Sequence, residues 1–369
     1  MNEERARARI EAAVQQVVAS GAETGVQVAV IRNGRVIADA VAGTADPATG
    51  EAVSGGTLFY AASTAKGVAS SVAHVLAERG ELSYDLRAAD VWPEFAARGK
   101  DAVTLRHVLL HTAGVPGLPA DTTVADLCDW ERMCALLADE EPWWAPGTRF
   151  GYHAKTFGFL LGEILRRATA RTISALLREV ITGPLGIEDE VCFGVPPQLL
   201  PRVARQVAPG GIAPPAPEPG SPLSRAMPPG VLPDADYANR ADVLTADIPA
   251  EGTMTARGVA RMYSALLGHV DGVRLVSPGR LAQMAAVAFT GMDEVMGFAT
   301  SWAFGYSPNR PGGVPSRRGS TFGMVGMNGS AAWADIDTGV AVAVMRNRFT
   351  AGDFGTVTLI DQIVADTLS

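Results

Sequence analysis

Two β-hairpin patterns near opposite ends of the 369-residue chain restrict its fold more than any other feature. Near the amino end, residues 26–31 and 36–41 are rich in Val and Ile and are joined by a turn containing Asn33-Gly34. Near the carboxyl end, residues 330–335 and 340–345 flank a second turn. Asn-Gly between two such runs is the strongest short-range hairpin signal. The two ends therefore predict antiparallel strands.

Each hairpin pattern is accompanied by a helix pattern on its outer side. Apolar residues at helical spacing predict an amphipathic helix over residues 2–20, and a terminal helix is predicted over residues 354–367. We predict an α/β (α+β) fold with one antiparallel sheet, built from both ends and covered by helices. A mostly helical lobe, residues 86–249, is predicted to be inserted into an α/β lobe formed by residues 1–85 and 250–369.

Residues 209–233 contain nine prolines and form the most irregular stretch of the sequence. Proline lacks the backbone N–H group that helix interiors and central strands need, so this stretch is predicted to be a loop without helix or central strand. Ordered loops of this length are often functional. The sequence leaves two alternatives open: a loop that covers a site, or a surface excursion.

Composition excludes several classes of partner. The formal net charge of −8 argues against nucleic acid. The sequence contains no run of about 18 apolar residues, so no membrane span is predicted. The three cysteines, Cys128, Cys134 and Cys192, lack metal-ligand spacing, so neither a metal nor another cofactor is expected. Together with an amino end that lacks an apolar signal-like stretch, they favour the cytoplasm. The oligomeric state is not predicted.

Lysine is scarce, and its positions draw attention to one residue pair. Only three of the 31 basic residues are lysines: Lys66, Lys100 and Lys155. A buried Lys can lose its proton, whereas Arg cannot. Lys66 follows Ser63 by three residues at the start of a predicted helix, so the two share a face and Lys66 could activate the Ser63 hydroxyl as a nucleophile. The alternative is that the Ser63 hydroxyl caps the helix and the Lys66 side chain is solvated.

Two further segments could contribute to a site. Tyr152 precedes another helix pattern, where the helix dipole and a nearby ammonium could make its phenol more acidic; the alternative is a half-buried aromatic residue. Lys155 is expected to be solvated. The glycine-rich residues 322–330 could present a backbone N–H group to an oxyanion, or they could form a bulged strand. His74, His107 and His269 are expected to be structural and His111 to lie in a packed turn. No Gly-x-Ser-x-Gly motif supports a Ser-His-Asp triad.

Taken in order, five segments of the chain resemble the serine β-lactamase-like superfamily. They are Ser63-x-x-Lys66, His111-Thr112-Ala113-Gly114, Tyr152, residues 323–330 and residues 331–335. That superfamily includes class C β-lactamases, penicillin-binding peptidases, family VIII carboxylesterases and transacylases. The resemblance implies a β-lactamase/transpeptidase-like fold with the active site between the lobes.

The resemblance also implies a set of roles. Ser63 would attack a carbonyl carbon and form an acyl-enzyme. Lys66 and Tyr152 would share the proton transfers as a coupled pair. The backbone N–H groups of Ser63 and Met327 would bind the oxyanion. Met324 and Gly326 would lie beside the substrate.

Two positions depart from the family pattern and narrow the expected substrate. Ala154 stands where an Asn often follows the tyrosine by two residues, and Met324-Val325-Gly326 stands where β-lactamases have Lys-Thr-Gly. Met cannot bind the carboxylate of a β-lactam as a Lys can. We therefore expect a carboxylesterase for small, fairly apolar esters. A transacylase that passes the acyl group to an amine or alcohol is the alternative, and a β-lactamase or a non-catalytic binder is less favoured.

Overall fold

A computed structural model describes residues 2–210, 217–309 and 320–368 of the chain. Its strands are β1 Gly25–Arg32, β2 Arg35–Asp46, β3 Glu51–Ala52, β4 Phe59–Tyr60, β5 Val191–Cys192, β6 Thr253–Met254, β7 Phe289–Met292, β8 Ala299–Trp302, β9 Thr321–Val325, β10 Ala331–Asp335 and β11 Val340–Arg346. Its α-helices are α1 Asn2–Ala19, α2 Thr64–Glu78, α3 Ala88–Val91, α4 Leu105–Leu109, α5 Val124–Cys128, α6 Trp130–Asp139, α7 Thr156–Thr169, α8 Ile173–Leu177, α9 Gly183–Leu185, α10 Pro222–Ala226, α11 Ala235–Ala238, α12 Ala241–Thr245, α13 Ala256–Leu267, α14 Pro278–Ala285 and α15 Gly355–Leu368. Short 3-10 or π segments cover Pro93–Gly99, Arg178–Thr182, Pro197–Arg202 and Pro229–Val231.

The main sheet has six strands in the order β3-β2-β1-β11-β10-β9, and its neighbours are antiparallel. The two predicted hairpins meet at its centre, where Val28 is the partner of Val344. Asn33 and Gly34 both have positive φ, as the tight turn between β1 and β2 requires. The predicted sheet built from both ends is confirmed, and so are the helices predicted at the two ends.

The two faces of this sheet pack against different helices. Val26, Val28 and Val30 alternate along β1 and join the apolar cluster beneath α1 and α15. Ala29 and Ile31 point the other way, into the larger cluster that includes α2, α7 and α13. This alternation follows from the two-residue period of a strand. The functional groups described below lie on the α2 side.

The middle of the chain is mostly helical, as predicted, and a small sheet joins it to the ends. In that sheet β6 lies between β4 and β5. Strand β5 belongs to the helical segment, whereas β4 leads directly to Ser63. The predicted division at residues 85/86 and 249/250 is not tested by these elements and stays a prediction. Strands β5 and β6 pair across the second of these boundaries.

The proline-rich stretch contains short helices, so the prediction of a loop without helix is wrong at α10. Pro222 occupies the first turn of α10, where its missing N–H group is not needed, and the Ser221 hydroxyl accepts from the backbone N–H of Ser224. Arg225 lies 4.1 Å over the Trp143 ring, and its carbonyl accepts from the Leu118 N–H. Residues 211–216 of the predicted loop lie outside the described residues.

Within those described ranges, no helix combines the length and the apolar character needed to cross a lipid bilayer.

Candidate active site

Ser63 lies at a sharp turn between β4 and α2. The preceding Ala62 has φ of 45°, a left-handed conformation that is costly for a residue with a Cβ atom. Ser63 is partly exposed, and its hydroxyl does not cap α2. It accepts a hydrogen bond from Lys66 Nζ at 2.8 Å instead. The alternative of a helix-capping Ser63 beside a solvated Lys66 is therefore wrong.

Lys66 is buried, with 1% of its surface exposed. Besides Ser63, its ammonium donates to the carbonyl of Ala250 at 3.2 Å. Burial lowers the pKa of Lys66 to about 7; Glu251 opposes this shift and Lys155 adds to it. A substantial fraction of the amine is then neutral near neutral pH. A neutral amine can accept the Ser63 proton along the contact that already exists.

Tyr152 lies against the same pair. Lys66 Nζ is 5.2 Å from the centre of the Tyr152 ring. Burial raises the pKa of the Tyr152 phenol, a hydrogen bond with the Ser63 side chain lowers it by less, and Asp293 raises it further. The expectation of a more acidic phenol is wrong, because burial outweighs the hydrogen bond with Ser63. Tyr152 therefore stays protonated and can act as a proton donor.

The His111 ring packs against the Tyr152 ring. It is buried at the turn of the predicted His-Thr-Ala-Gly segment, has φ of 54°, and its Nδ1 accepts from the backbone N–H of His153 at 2.9 Å. Its ring centroid lies 4.9 Å from that of Tyr152 and 4.8 Å from that of Phe157. Burial holds the pKa of His111 well below its ordinary value, so the ring is neutral. This is a packing role, as expected.

The turn after β9 approaches the strand that leads to Ser63. A Cβ atom at Gly326 would lie 2.4 Å from the carbonyl oxygen of Ala61, so this approach requires glycine. The buried Asn328 side chain donates to the Tyr60 carbonyl at 2.9 Å and fixes the turn there. Among the residues that the structure describes, the backbone N–H groups of Ser63 and Met327 donate to no acceptor.

Met324 lies on β9, two residues before Gly326 of this turn. It is 2% exposed and packs with Phe150 and Trp302 in a small aromatic cluster. Its Cγ would lie 3.2 Å from a Cβ atom at Gly67 of α2. Met324, which the resemblance aligns with the lysine of β-lactamases, is thus a packed apolar side chain.

Lys155 contradicts its prediction, because it is 2% exposed rather than solvated. Its ammonium forms an ion pair with the buried Glu251 and donates to the Tyr237 hydroxyl at 3.2 Å. The Tyr60 hydroxyl donates to the other oxygen of Glu251 at 2.7 Å. Sequence reasoning missed Glu251, Tyr60 and Tyr237. The available signal was the scarcity of lysine, since the third lysine, Lys100, is buried as well.

Comparison with known proteins gives a consistent picture over nearly the whole chain. The family model described as Beta-lactamase matches residues 10–365. Esterase/beta-lactamase LipL of Mycobacterium tuberculosis is 34% identical over 344 residues, which cover 88% of this chain and 77% of that protein. Esterase EstB of Burkholderia gladioli is 25% identical over 387 residues, covering 95% and 93%.

Two solved structures also resemble the chain over nearly its whole length. A family VIII carboxylesterase superimposes with a TM-score of 0.88 at 30% identity, covering 98% of both chains. A penicillin-binding protein homologue from Caulobacter crescentus superimposes with a TM-score of 0.88 at 34% identity, covering 99% of this chain and 98% of the other.

Proposed function

Because this chain belongs to the β-lactamase family and is a serine hydrolase or acyltransferase of that superfamily, we propose that it hydrolyses small, fairly apolar carboxylic esters through an acyl-enzyme on Ser63. The 2.8 Å contact between the buried Lys66 amine and the Ser63 hydroxyl carries the proposal. It joins a nucleophile to a base in the geometry that such catalysis requires.

In the first half of the proposed reaction, Ser63 Oγ attacks the ester carbonyl carbon while its proton passes to Lys66 Nζ. The oxyanion accepts hydrogen bonds from the backbone N–H groups of Ser63 and Met327, and each such donor is worth about 2.7–4 kcal/mol in a comparable site. The C–O bond then breaks, and the alkoxide takes the phenol proton of Tyr152. Lys66 returns its proton to Tyr152 as the alcohol leaves.

The second half of the reaction releases the acyl group. Water attacks the acyl carbon and gives its proton to Lys66, directly or through Tyr152. When the tetrahedral species collapses, Ser63 Oγ leaves and regains a proton from Lys66. The products are a carboxylic acid and the free enzyme.

An apolar hairpin beside the site supports an apolar substrate. Four of the five large apolar side chains that are exposed in the described residues fall within residues 287–298: Val287, Met292, Met296 and Phe298. The hairpin of β7 and β8 is continuous with the site, because Phe289 stacks on Phe150 at 4.9 Å and Trp302 lies 5.9 Å from Tyr152. Met324 stands where a cation would bind a carboxylate. The apolar surface formed by Met324 and the β7–β8 hairpin therefore suits a hydrocarbon group better than a carboxylate, which counts against an efficient β-lactamase.

Transfer of the acyl group to an amine or alcohol is the second candidate. Met324 packs with Phe150 and Trp302 next to Tyr152, and this apolar surface would favour an apolar acceptor over water. The proposed partner is a small ester, joined in this version by the acceptor. The cytoplasm is the proposed compartment, because all three cysteines are free thiols.

The test is intact-mass spectrometry with peptide mapping after a rapid quench. The protein is mixed with activated esters of increasing chain length and with a β-lactam. We expect a transient acyl mass on the Ser63 peptide, absent in Ser63→Ala and present in Ser83→Ala, which changes an exposed serine beyond α2. No adduct with any ester or lactam would contradict the proposal and bring a non-catalytic binder forward. Adding amines then separates the two candidates, since transfer no faster than the solution background would exclude the transacylase.

A further inference from the structure

Glu251 is a buried carboxylate behind the site that the proposed reaction does not use. It is 5% exposed and accepts from the Tyr60 hydroxyl and from Lys155. The carbonyl of the preceding Ala250 accepts from Lys66. The carboxylate therefore lies one peptide away from the group that holds the proposed base.

The same cluster connects the segments that carry the site. Strand β4 leads to Ser63, and its Tyr60 contacts Glu251 through the hydroxyl and Asn328 through the carbonyl. The Ala61 N–H donates to the Gly252 carbonyl at 2.8 Å. Lys155 stands at the start of α7, three residues after Tyr152. The cluster thus contacts the segments that present the nucleophile, the phenol and the turn after β9.

The charges of the cluster can be counted, because its other titratable groups are neutral near neutral pH. These are the phenols of Tyr60, Tyr152 and Tyr237 and the Cys128 thiol, whose pKa values burial raises, and His111, whose pKa burial lowers. Further out, Asp293 accepts from the Tyr152 N–H, and Arg240 pairs with Asp242 on the surface. One carboxylate, Glu251, therefore faces two buried lysines.

Contact decides which ammonium that carboxylate neutralises. Lys155 forms the ion pair with Glu251, whereas Lys66 has only a hydroxyl and a carbonyl as hydrogen-bond partners in the described part of the chain. We propose that the Glu251–Lys155 ion pair is a positioning element for Lys66: Glu251 holds the peptide that binds Lys66, and Lys155 neutralises Glu251, so Lys66 is left without a counter-ion and is free to act as the base. The role assigned to Lys66 rests on the proposed function.

The two partners have opposite effects on Lys66, and this gives the proposal its test. Glu251 raises the pKa of Lys66 and Lys155 lowers it. Glu251→Gln should therefore lower that pKa, and Lys155→Met should raise it, each by about one unit or more. Because the reaction needs neutral Lys66, the acidic limb of kcat/KM should move to lower pH in Glu251→Gln and to higher pH in Lys155→Met. A merely structural pair would reduce activity without moving the limb.

The experiment reads Lys66 directly as well as through activity. Lysine labelled with ¹³C at Cε gives three NMR signals in this chain, assigned with single Lys→Met variants. The Lys66 signal is titrated in the wild type, in both single variants and in the double variant Glu251→Gln/Lys155→Met. The double variant leaves no buried charge at the pair, so it can be used if one single variant does not fold. Its midpoint should fall between those of the single variants.

A matched control changes another carboxylate. Glu190→Gln removes a partly buried group whose partner is Arg257 at 2.8 Å, and the Lys66 titration should not move. Shifts in the same direction in both single variants, or no shift in either, would overturn the proposal. Since the NMR titration needs no substrate, opposite shifts in a protein without esterase activity would refute the proposed function alone.

Discussion

The starts of α2 and α7 each bring a lysine into the same buried space, but the two lysines have different partners. Lys66 contacts the Ser63 hydroxyl and a backbone carbonyl, whereas Lys155 contacts the Glu251 carboxylate. Burial lowers the pKa of both ammonium groups, and at Lys155 direct contact with Glu251 opposes that shift. The partner, more than burial, therefore decides whether a buried lysine serves as a base or as an ion-pair partner.

The largest effect is expected from Lys66→Met, which removes the proposed base but leaves the shape of the site. We expect kcat/KM for an activated ester to fall by about 10²–10⁴-fold, the usual contribution of a positioned acid or base. The free energy of unfolding should change by less than about 2 kcal/mol, because two lost hydrogen bonds are offset by the removal of a desolvated amine. Steady-state kinetics and denaturant titration measure both quantities. A loss of activity below about tenfold would contradict the role of Lys66.

The same variant should change the pH dependence of stability. The folded chain holds Lys66 at a pKa of about 7, whereas the ordinary pKa of a lysine is 10.5. Between these values the unfolded chain binds more protons, so Lys66 makes stability rise with pH across that window. Lys66→Met should remove this contribution, which unfolding at a series of pH values would show.

The second-largest effect is expected from Lys155→Met, which should lower the free energy of unfolding. The change leaves Glu251 buried without its cation, and breaking such a pair typically costs about 3–5 kcal/mol. Lys155→Met/Glu251→Gln should recover most of this loss, because it removes the unpaired charge. Denaturant titration of the single and double variants measures the difference. A single variant as stable as the wild type would show that the ion pair contributes nothing to holding the fold.

The same contrast separates what sequence could predict from what it could not. The contact of Ser63 with Lys66 follows from a spacing of three residues on one helix, and the central hairpin follows from alternation around Asn33-Gly34. These signals are local. Lys155 and Glu251 are 96 residues apart, and Tyr60 and Glu251 are 191 residues apart, so no spacing rule relates them.

The error on Tyr152 has the same origin. Its place before a helix was visible in the sequence and pointed to a more acidic phenol. The burial that reverses this shift comes from rings in distant segments, such as His111 and Trp302, which only the folded chain brings together. Composition carried part of the missing information, because a chain with three lysines buries all of them.

The smallest effect on activity is expected from Lys100→Met, which tests whether burial alone makes a lysine functional. Lys100 is fully buried, and its ammonium donates to the carbonyls of Ala138 at 3.0 Å and Glu140 at 2.5 Å. The variant leaves those carbonyls unpaired, so stability should fall by about 1–3 kcal/mol. Because Lys100 contacts neither Ser63 nor Glu251 in the described residues, kcat/KM and its pH limb should stay at the wild-type values. A displaced pH limb would mean that burial, and not the partner, sets the role of each lysine, and the contrast between α2 and α7 would fail.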